Sequence, residues 1–226
     1  MLDSFKNKKI AESRWDAKIK EEKSKILNTD EATILKAILC GFLAGDGSVQ
    51  VRKEKSCYHY QLDFFPDDEL MMDIYIKAIK KVYQKEPSVR IRDNVFHVRK
   101  TSKTIVTDLL ELTRFETKLW SIPKFVLDCK KTKVAWLKAF FSAEAYVNKK
   151  SIKIQTVNKT GMGEISKLLD EFQIKHRTYE YQPKKKNHSR VYIIFIGPKS
   201  ERKKYYEEIG FYHSKKNKIL KTALNL

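Results

Sequence analysis

The sequence predicts an α+β fold made of two pseudo-symmetric halves, each an α-β-β-α-β-β-α unit with one four-stranded antiparallel sheet. Two observations carry this expectation. Leu39–Val49 and Leu137–Val147 align without a gap, and small residues meet small residues: Gly41 with Ala139, Ala44 with Ser142, Gly45 with Ala143, Gly47 with Ala145. An acid stands at the same register in both segments, Asp46 and Glu144, 98 residues apart. After each acid the apolar spacing then alternates between strand and helix periods in the same order.

The elements follow in turn. Asn28-Thr29-Asp30-Glu31 supplies capping residues ahead of the apolar run Ile34, Ile38, Leu39 and Phe42, so a helix begins near residue 30. Ser48–Arg52 and Tyr58–Phe64 alternate as strands. Pro66-Asp67-Asp68-Glu69 opens an amphipathic helix through Tyr83. Ser88–Asp93 and Asn94–Arg99 alternate again about a turn at Asp93-Asn94, and Ser102–Leu112 is helical. In the second half, Ser151–Asn158 reads as a strand and Gly163–Phe172 as a helix. Lys175–Gln182 and Arg190–Ile196 pair as a hairpin, and Ser200–Ile209 closes the unit as a helix. Little chain separates Val147 from Ser151, which leaves one strand of this half without a clear place. The expected organisation is a basic extension (1–29), a first half (30–120), a linker around Ile122-Pro123-Lys124 (121–133), a second half (134–212) and a basic tail (213–226). Within the extension, Ile10, Trp15, Ile19, Ile26 and Leu27 approximate a helical stripe. It reads equally as a solvated, docked helix or as an arm on a phosphate backbone.

Charge narrows the partner. Of 226 residues, 47 are Lys or Arg and 28 are Asp or Glu, a net +19 with pI near 9.7, which implies a polyanion, first of all nucleic acid. A 42% hydrophobic share with 12% aromatics is too high for a disordered basic chain. No run approaches the roughly 20 apolar residues of a membrane span. The start, Met1-Leu2-Asp3-Ser4-Phe5-Lys6, lacks the pattern of a secretory signal, so an intracellular protein is expected, in cytoplasm or organelle at its nucleic acid. Cys40, Cys57 and Cys129 form no C-x-x-C pair, which argues against a disulfide scaffold and a zinc module.

The paired segments carry the chemistry. Gly41 and Gly45 share one helix face, as do Ala139 and Ala143, and small residues let two backbones approach closely. If the two helices pack in parallel, Asp46 and Glu144 come to the same end, where helix termini already carry partial negative charge. Such a pair repels itself unless it holds a cation. With oxygen donors only, the expected ion is Mg²⁺ or another hard divalent cation such as Mn²⁺.

Gly41-Phe42-Leu43-Ala44-Gly45-Asp46-Gly47-Ser48 closely resembles a LAGLIDADG motif of the homing endonucleases, and Lys138-Ala139-Phe140-Phe141-Ser142-Ala143-Glu144-Ala145-Tyr146 is a looser second copy. The resemblance is to the single-chain, two-motif form and spans nearly all of residues 30–212. It implies a double-strand DNA endonuclease with a long target site, whose saddle of sheets lies along the major groove. It also implies that Asp46 and Glu144 hold metal and position attacking water, with the Gly45 and Ala143 carbonyls as further ligands. Arg99, ending a strand, looks like the family's assisting base, and Asn158 occupies the place of its strand-end amide. Ala145 stands where the family has Gly, and Ala resists a positive φ.

Alternation assigns the groove face. In the first half Ser48, Gln50, Arg52, His59, Gln61, Arg90, Arg92 and His97 turn outward, opposite Val49, Val51, Tyr58, Tyr60, Leu62, Phe64, Val89 and Ile91. In the second, Lys153 and Gln155 face out, while Val191–Ile196 is apolar on both faces and periodicity cannot assign it. Arg, Gln and His can bond base edges. Lys149, Lys150, Lys184, Lys185 and Lys186 suit phosphates. The expected protein is a monomeric, intron-encoded endonuclease on double-stranded DNA. Two alternatives share the fold: a splicing maturase that binds intron RNA, and a non-catalytic DNA-binding regulator.

Overall fold

The structure is a computed structural model that describes residues 14–55, 57–92, 95–184 and 188–226, with Arg92 described in its backbone only. The first half holds α2 (Asp30–Asp46), β1 (Gly47–Glu54), β2 (Cys57–Phe64), α3 (Glu69–Tyr83), β3 (Ser88–Arg92), β4 (Val95–Thr101) and α4 (Lys103–Leu112), preceded by α1 (14–24). After a 3₁₀ turn at Lys124–Asp128 the second half repeats the series. It holds α5 (Lys130–Glu144), β5 (Tyr146–Val147), β6 (Ile152–Thr156), α6 (Lys159–Glu171), β7 (Arg177–Tyr181), β8 (Val191–Ile196) and α7 (Lys199–Glu208). The sheets have matching strand orders, β1-β2-β4-β3 and β5-β6-β8-β7, and every pairing is antiparallel. The strand with no clear place is β5, two residues long before the chain turns at Asn148, whose side chain accepts from the Lys150 and Ser151 amides.

Local chemistry explains the boundaries. The Thr29 hydroxyl accepts from Ala32 N and starts α2, and Asp68 does the same for α3 through Met71 N. Ser102 caps α4 through Ile105 N. The core lies between the sheets and the helices. Leu62, Phe64 and Val98 from the first sheet, and Ile152, Ile154, Ile194 and Ile196 from the second, are almost wholly buried. Phe42 of α2 packs against Phe64 and Tyr75, with ring centroids 4.9 and 6.4 Å away. Each such ring contributes about 2–3 kcal/mol by burial. Trp120 and Trp136 are core, Trp136 stacking on Phe140 at 5.0 Å.

Two expectations change, and of the two readings of the extension the docked helix is the one seen. Val51, Tyr58, Val89 and Ile91 do lie on the inner face by register, but they are exposed, because the far ends of β1, β2 and β3 run past the helices. The 213–226 stretch is not a loose tail: Ser214–Leu224 forms α8, with Leu220 and Leu224 buried in the core. The described part of the extension is a helix that docks. Glu22 of α1 bonds Lys85 and Thr104 at 2.9 and 2.7 Å, and Leu27 N donates to Val82 O at 3.0 Å. Ile10, Asp93 and Asn94 lie outside the described residues.

Candidate active site and nucleic-acid interface

The two motif helices meet as their small residues require. A Cβ on Gly41 would come within 2.5 Å of Trp136 O and 2.9 Å of the Ala139 Cβ. One on Gly45 would meet the Ala143 Cβ at 2.6 Å and the Glu144 Cγ at 3.3 Å. The last turns of α2 and α5 therefore touch, and Asp46 and Glu144 end the two helices at one seam. Neither residue after the acids needs a positive φ: Gly47 has −114° and Ala145 −75°. Alanine is accordingly tolerated at 145, where it is buried.

Both acids are disfavoured as anions. Burial pushes the Glu144 carboxyl up to about 7, with the Asp46 charge adding to the effect. Burial also raises Asp46, although Lys216 pulls the other way. The compensating cation comes from α8. Lys216 Nζ donates to Ser142 O at 2.6 Å and to Ala143 O at 2.8 Å. Burial lowers its ammonium, while Asp67, Asp46, Glu144 and Asp68 favour its charge. The helix is held by two anchors. The Ser142 hydroxyl, bonded to Lys138 O at 2.6 Å, accepts from Tyr212 N at 2.7 Å. Asp68 accepts from Ser214 N at 3.0 Å and from the Ser214 hydroxyl. His213, buried in this turn, places Nε2 3.3 Å from Asp67 Oδ1. Lys216, His213, Asp67, Asp68 and Ser142 were not singled out as site residues by sequence reasoning. Lys215-Lys216-Asn217-Lys218 lies in the stretch expected as a basic tail, and nothing local in it says that it folds back.

The donor set fits a hard divalent cation. Two carboxylates held above their ordinary range in spite of Lys216 have room for further positive charge, and the nearby carbonyls add only oxygen. Among the described residues no three His, Cys, Asp or Glu side chains form a closed cage. An open site of two carboxylates suits Mg²⁺, which keeps waters and takes substrate oxygens. Of the expected carbonyl ligands, Ala143 O already accepts from Lys216.

A second polar cluster lies on the first sheet. Asp63, paired with Arg99 across β2 and β4, is almost fully buried. Its carboxylate accepts from Arg99 Nε at 2.7 Å, lies 2.7 Å from His97 Nε2, and takes the Gln61 amide. Burial pushes Asp63 up, but the hydrogen bonds from Arg99, Gln61 and His97 together outweigh it and hold the carboxyl below its ordinary value. Asp63 is thus the hub of the outward face, opposite Ser48 on one neighbouring strand and Arg99 on the other.

Register supports the outward assignments. Ser48 faces Asp63, Gln50 faces Gln61, Arg52 faces His59 and Arg90 faces His97, on the side opposite buried Leu62 and Val98. Gln50 also donates to the Ser48 hydroxyl at 2.6 Å. Lys153 and Gln155 share their face with Phe195 and Ile193. Lys149, Lys150 and Lys184 are exposed. The Arg92 side chain, Lys185 and Lys186 lie outside what is described. Asn158 corrects the sequence reading. Its Oδ1 accepts from Gly161 N at 3.0 Å as the cap of α6, and its Nδ2 donates to Trp120 O at 2.6 Å. Fully buried and committed at both ends, it has no free amide to offer a substrate.

Two matching halves on one chain, with acids meeting at a seam of small residues, define the class: the fold is that of the single-chain LAGLIDADG homing endonucleases. The family model described as LAGLIDADG-like domain matches residues 131–210, so the looser of the two motifs lies in the matched half. Among solved structures, a mesophilic variant of the homing endonuclease I-DmoI superposes with a TM-score of 0.64 at 18% identity, over 80% of this chain and 97% of its own. I-DmoI in complex with DNA and Mn gives 0.64 and 18%, over 79% and 97%. I-WcaI bound to its DNA recognition sequence gives 0.58 and 18%, over 89% and 91%. No curated protein matches the chain by sequence. No helix among the described residues is long and apolar enough to cross a membrane.

Proposed function

We propose that this chain is a metal-dependent endonuclease that binds double-stranded DNA as a monomer and cuts it at a long, specific site. The observation that carries the reading is the Asp46–Glu144 pair, two carboxylates raised by burial at the seam between α2 and α5. A folding role explains the glycines and alanines of the seam but not two buried acids at one register, which are expensive unless neutralised. Structures of I-DmoI with DNA and Mn or Ca, and of a variant with Mg, supply a precedent for the cation.

In this reading Asp46 and Glu144 would hold the divalent cation, with the Gly45 carbonyl, and the Ala143 carbonyl once Lys216 is displaced, as further oxygens. A bound divalent cation lowers the pKa of water and stabilises charge on the scissile phosphate. The two acids orient the attacking water. Arg99, steadied by Asp63, presents its guanidinium to the phosphate, and Lys216 offers a second cation from α8. Ser48, Gln50, Arg52, His59, Gln61, Arg90, Arg92, His97, Lys153 and Gln155 meet the bases. Lys149, Lys150, Lys184, Lys185 and Lys186 meet phosphates and fix register without reading sequence. An intron origin and a location at organellar or cytoplasmic DNA accompany this reading.

The test is cleavage of plasmid carrying the intron-less host gene, with Mg²⁺ or Ca²⁺. Linear product with Mg²⁺, lost in Asp46→Asn and in Glu144→Gln while binding survives, is the expected result. Specific binding without cutting under any divalent metal would overturn the enzyme and leave a maturase or regulator of this fold.

A further inference from the structure

The two sheets share one strand order but differ on the faces turned away from the helices, where the second sets an apolar strand among Lys153, Gln155 and Arg177. The first presents Ser48, Gln50, Arg52, His59, Gln61 and Arg90, all polar. In the second, register resolves the strand that is apolar on both sides. Ile194 and Ile196 are fully buried, so Val191, Ile193 and Phe195 lie on the outer face. Across β7 they pair with Tyr181, Tyr179 and Arg177, and Tyr179 and Tyr181 are about half exposed. The Tyr179 ring meets the edge of Phe195 at 6.5 Å.

Folding does not account for this stripe, since the core is filled by the other face of the same strand. Val191, Ile193 and Phe195 are half-buried rather than sealed, and an apolar patch that reaches water marks a binding surface. Its borders are cationic: Lys153 pairs with Phe195 on one side and Arg177 on the other, whereas Arg190 at the strand's start is already held by Glu180 at 3.1 Å. The occupant is therefore a polyanion that offers apolar groups on its readable edge. In the major groove of duplex DNA that group is the C5-methyl of thymine.

We propose that the second sheet reads a thymine-rich half-site through methyl contacts by Val191, Ile193 and Phe195, whereas the first reads its half-site by hydrogen bonds. This rests on the chain being a duplex-DNA binder. The asymmetry would make the target a composite of one half specified by donors and acceptors and another specified by shape and methyl placement.

The experiment is selection of binding sites from a randomised duplex library in Ca²⁺, followed by replacement of thymine with uracil in each half of the selected site. A uracil lacks only the methyl group. The expected result is a loss of affinity of about threefold to fourfold per contacted methyl in one half, with no change in the other. Ile193→Gln, an outer-face change that leaves the core intact, should remove the uracil penalty at one thymine of that half and leave the others. Selection of a site with no uracil penalty, or a full set of penalties that survives Ile193→Gln, would overturn this inference while leaving duplex binding in place. Failure to select any duplex would instead overturn the underlying reading, and this one with it. A dimer in sedimentation that Ile193→Gln dissociates, again without a uracil effect, would assign the stripe to a second copy of the chain and so overturn it as well.

Discussion

The ammonium of Lys216 lies 2.8 Å from the carbonyl oxygen of Ala143, the residue before the second acid. A helix that follows both halves thus delivers a positive charge to the seam they share. The expected metal and this ammonium address the same carbonyl and the same carboxylates, so they compete for one pool of negative charge.

Lys216→Met removes the charge and keeps the stem. Breaking a partly buried ionic cluster leaves the acids uncompensated, so the metal-free protein should lose about 2 kcal/mol, roughly 4–8 °C in Tm for a chain of this size. Ca²⁺ should restore most of that loss and bind the free variant more tightly than the parent. Thermal unfolding in EDTA and in Ca²⁺ checks both points. Equal Tm values in EDTA would show that the ammonium neutralises nothing.

Glu144→Gln tests the carboxylate pair by pH. Burial and Asp46 raise Glu144 from 4.5 to about 7, so the folded state binds an extra proton between those values. By linkage, this group's contribution is most favourable below about 4.5 and is lost as pH rises through about 7. In metal-free buffer the variant should match the parent near pH 4. Near pH 8 it should be more stable, by on the order of 3 kcal/mol. Denaturant unfolding across that range measures the difference, and a variant that is weaker at pH 8 would contradict it.

Asp63→Asn concerns position rather than charge at the chemistry. The carboxylate fixes Arg99 and His97, and its folded pKa is lowered, so its stabilisation is present above the ordinary carboxylate value and disappears as pH falls through the folded one. Asn can satisfy only part of the cluster. Cleavage by the variant should fall roughly tenfold through kcat. Adding Arg99→Met should then cost little more, because both changes disable one unit. Additive losses from the two changes would separate Asp63 from Arg99.

Several parts of this arrangement were legible in the chain because they are local or periodic. The gapless alignment about Asp46 and Glu144 gave the duplication, and alternation gave strand faces that the register bears out. Lys216 was not legible: its partners lie more than 70 residues upstream, and a lysine run has the same appearance in a solvated tail as over an acidic seam. Val51 and Ile91 show a different gap, since period assigns a face but not whether a helix reaches far enough to cover it. The outer stripe of Val191, Ile193 and Phe195 escaped assignment because both faces of that strand are apolar, one for the core and one for a partner.

Asn158→Ala distinguishes a cap from a site residue. The side chain satisfies Gly161 N and the Trp120 carbonyl in a buried setting, and alanine leaves both without their partner. Loss of the cap and of the second bond should destabilise the protein by about 2–3 kcal/mol. Because no part of the amide is free for substrate, cleavage per folded molecule should remain within about twofold of the parent when assayed well below Tm. Glycine at 158 would restore some of the cap preference but not the bond to Trp120, so it should be intermediate in stability. A variant that folds as stably as the parent but has lost cleavage would return Asn158 to the chemistry.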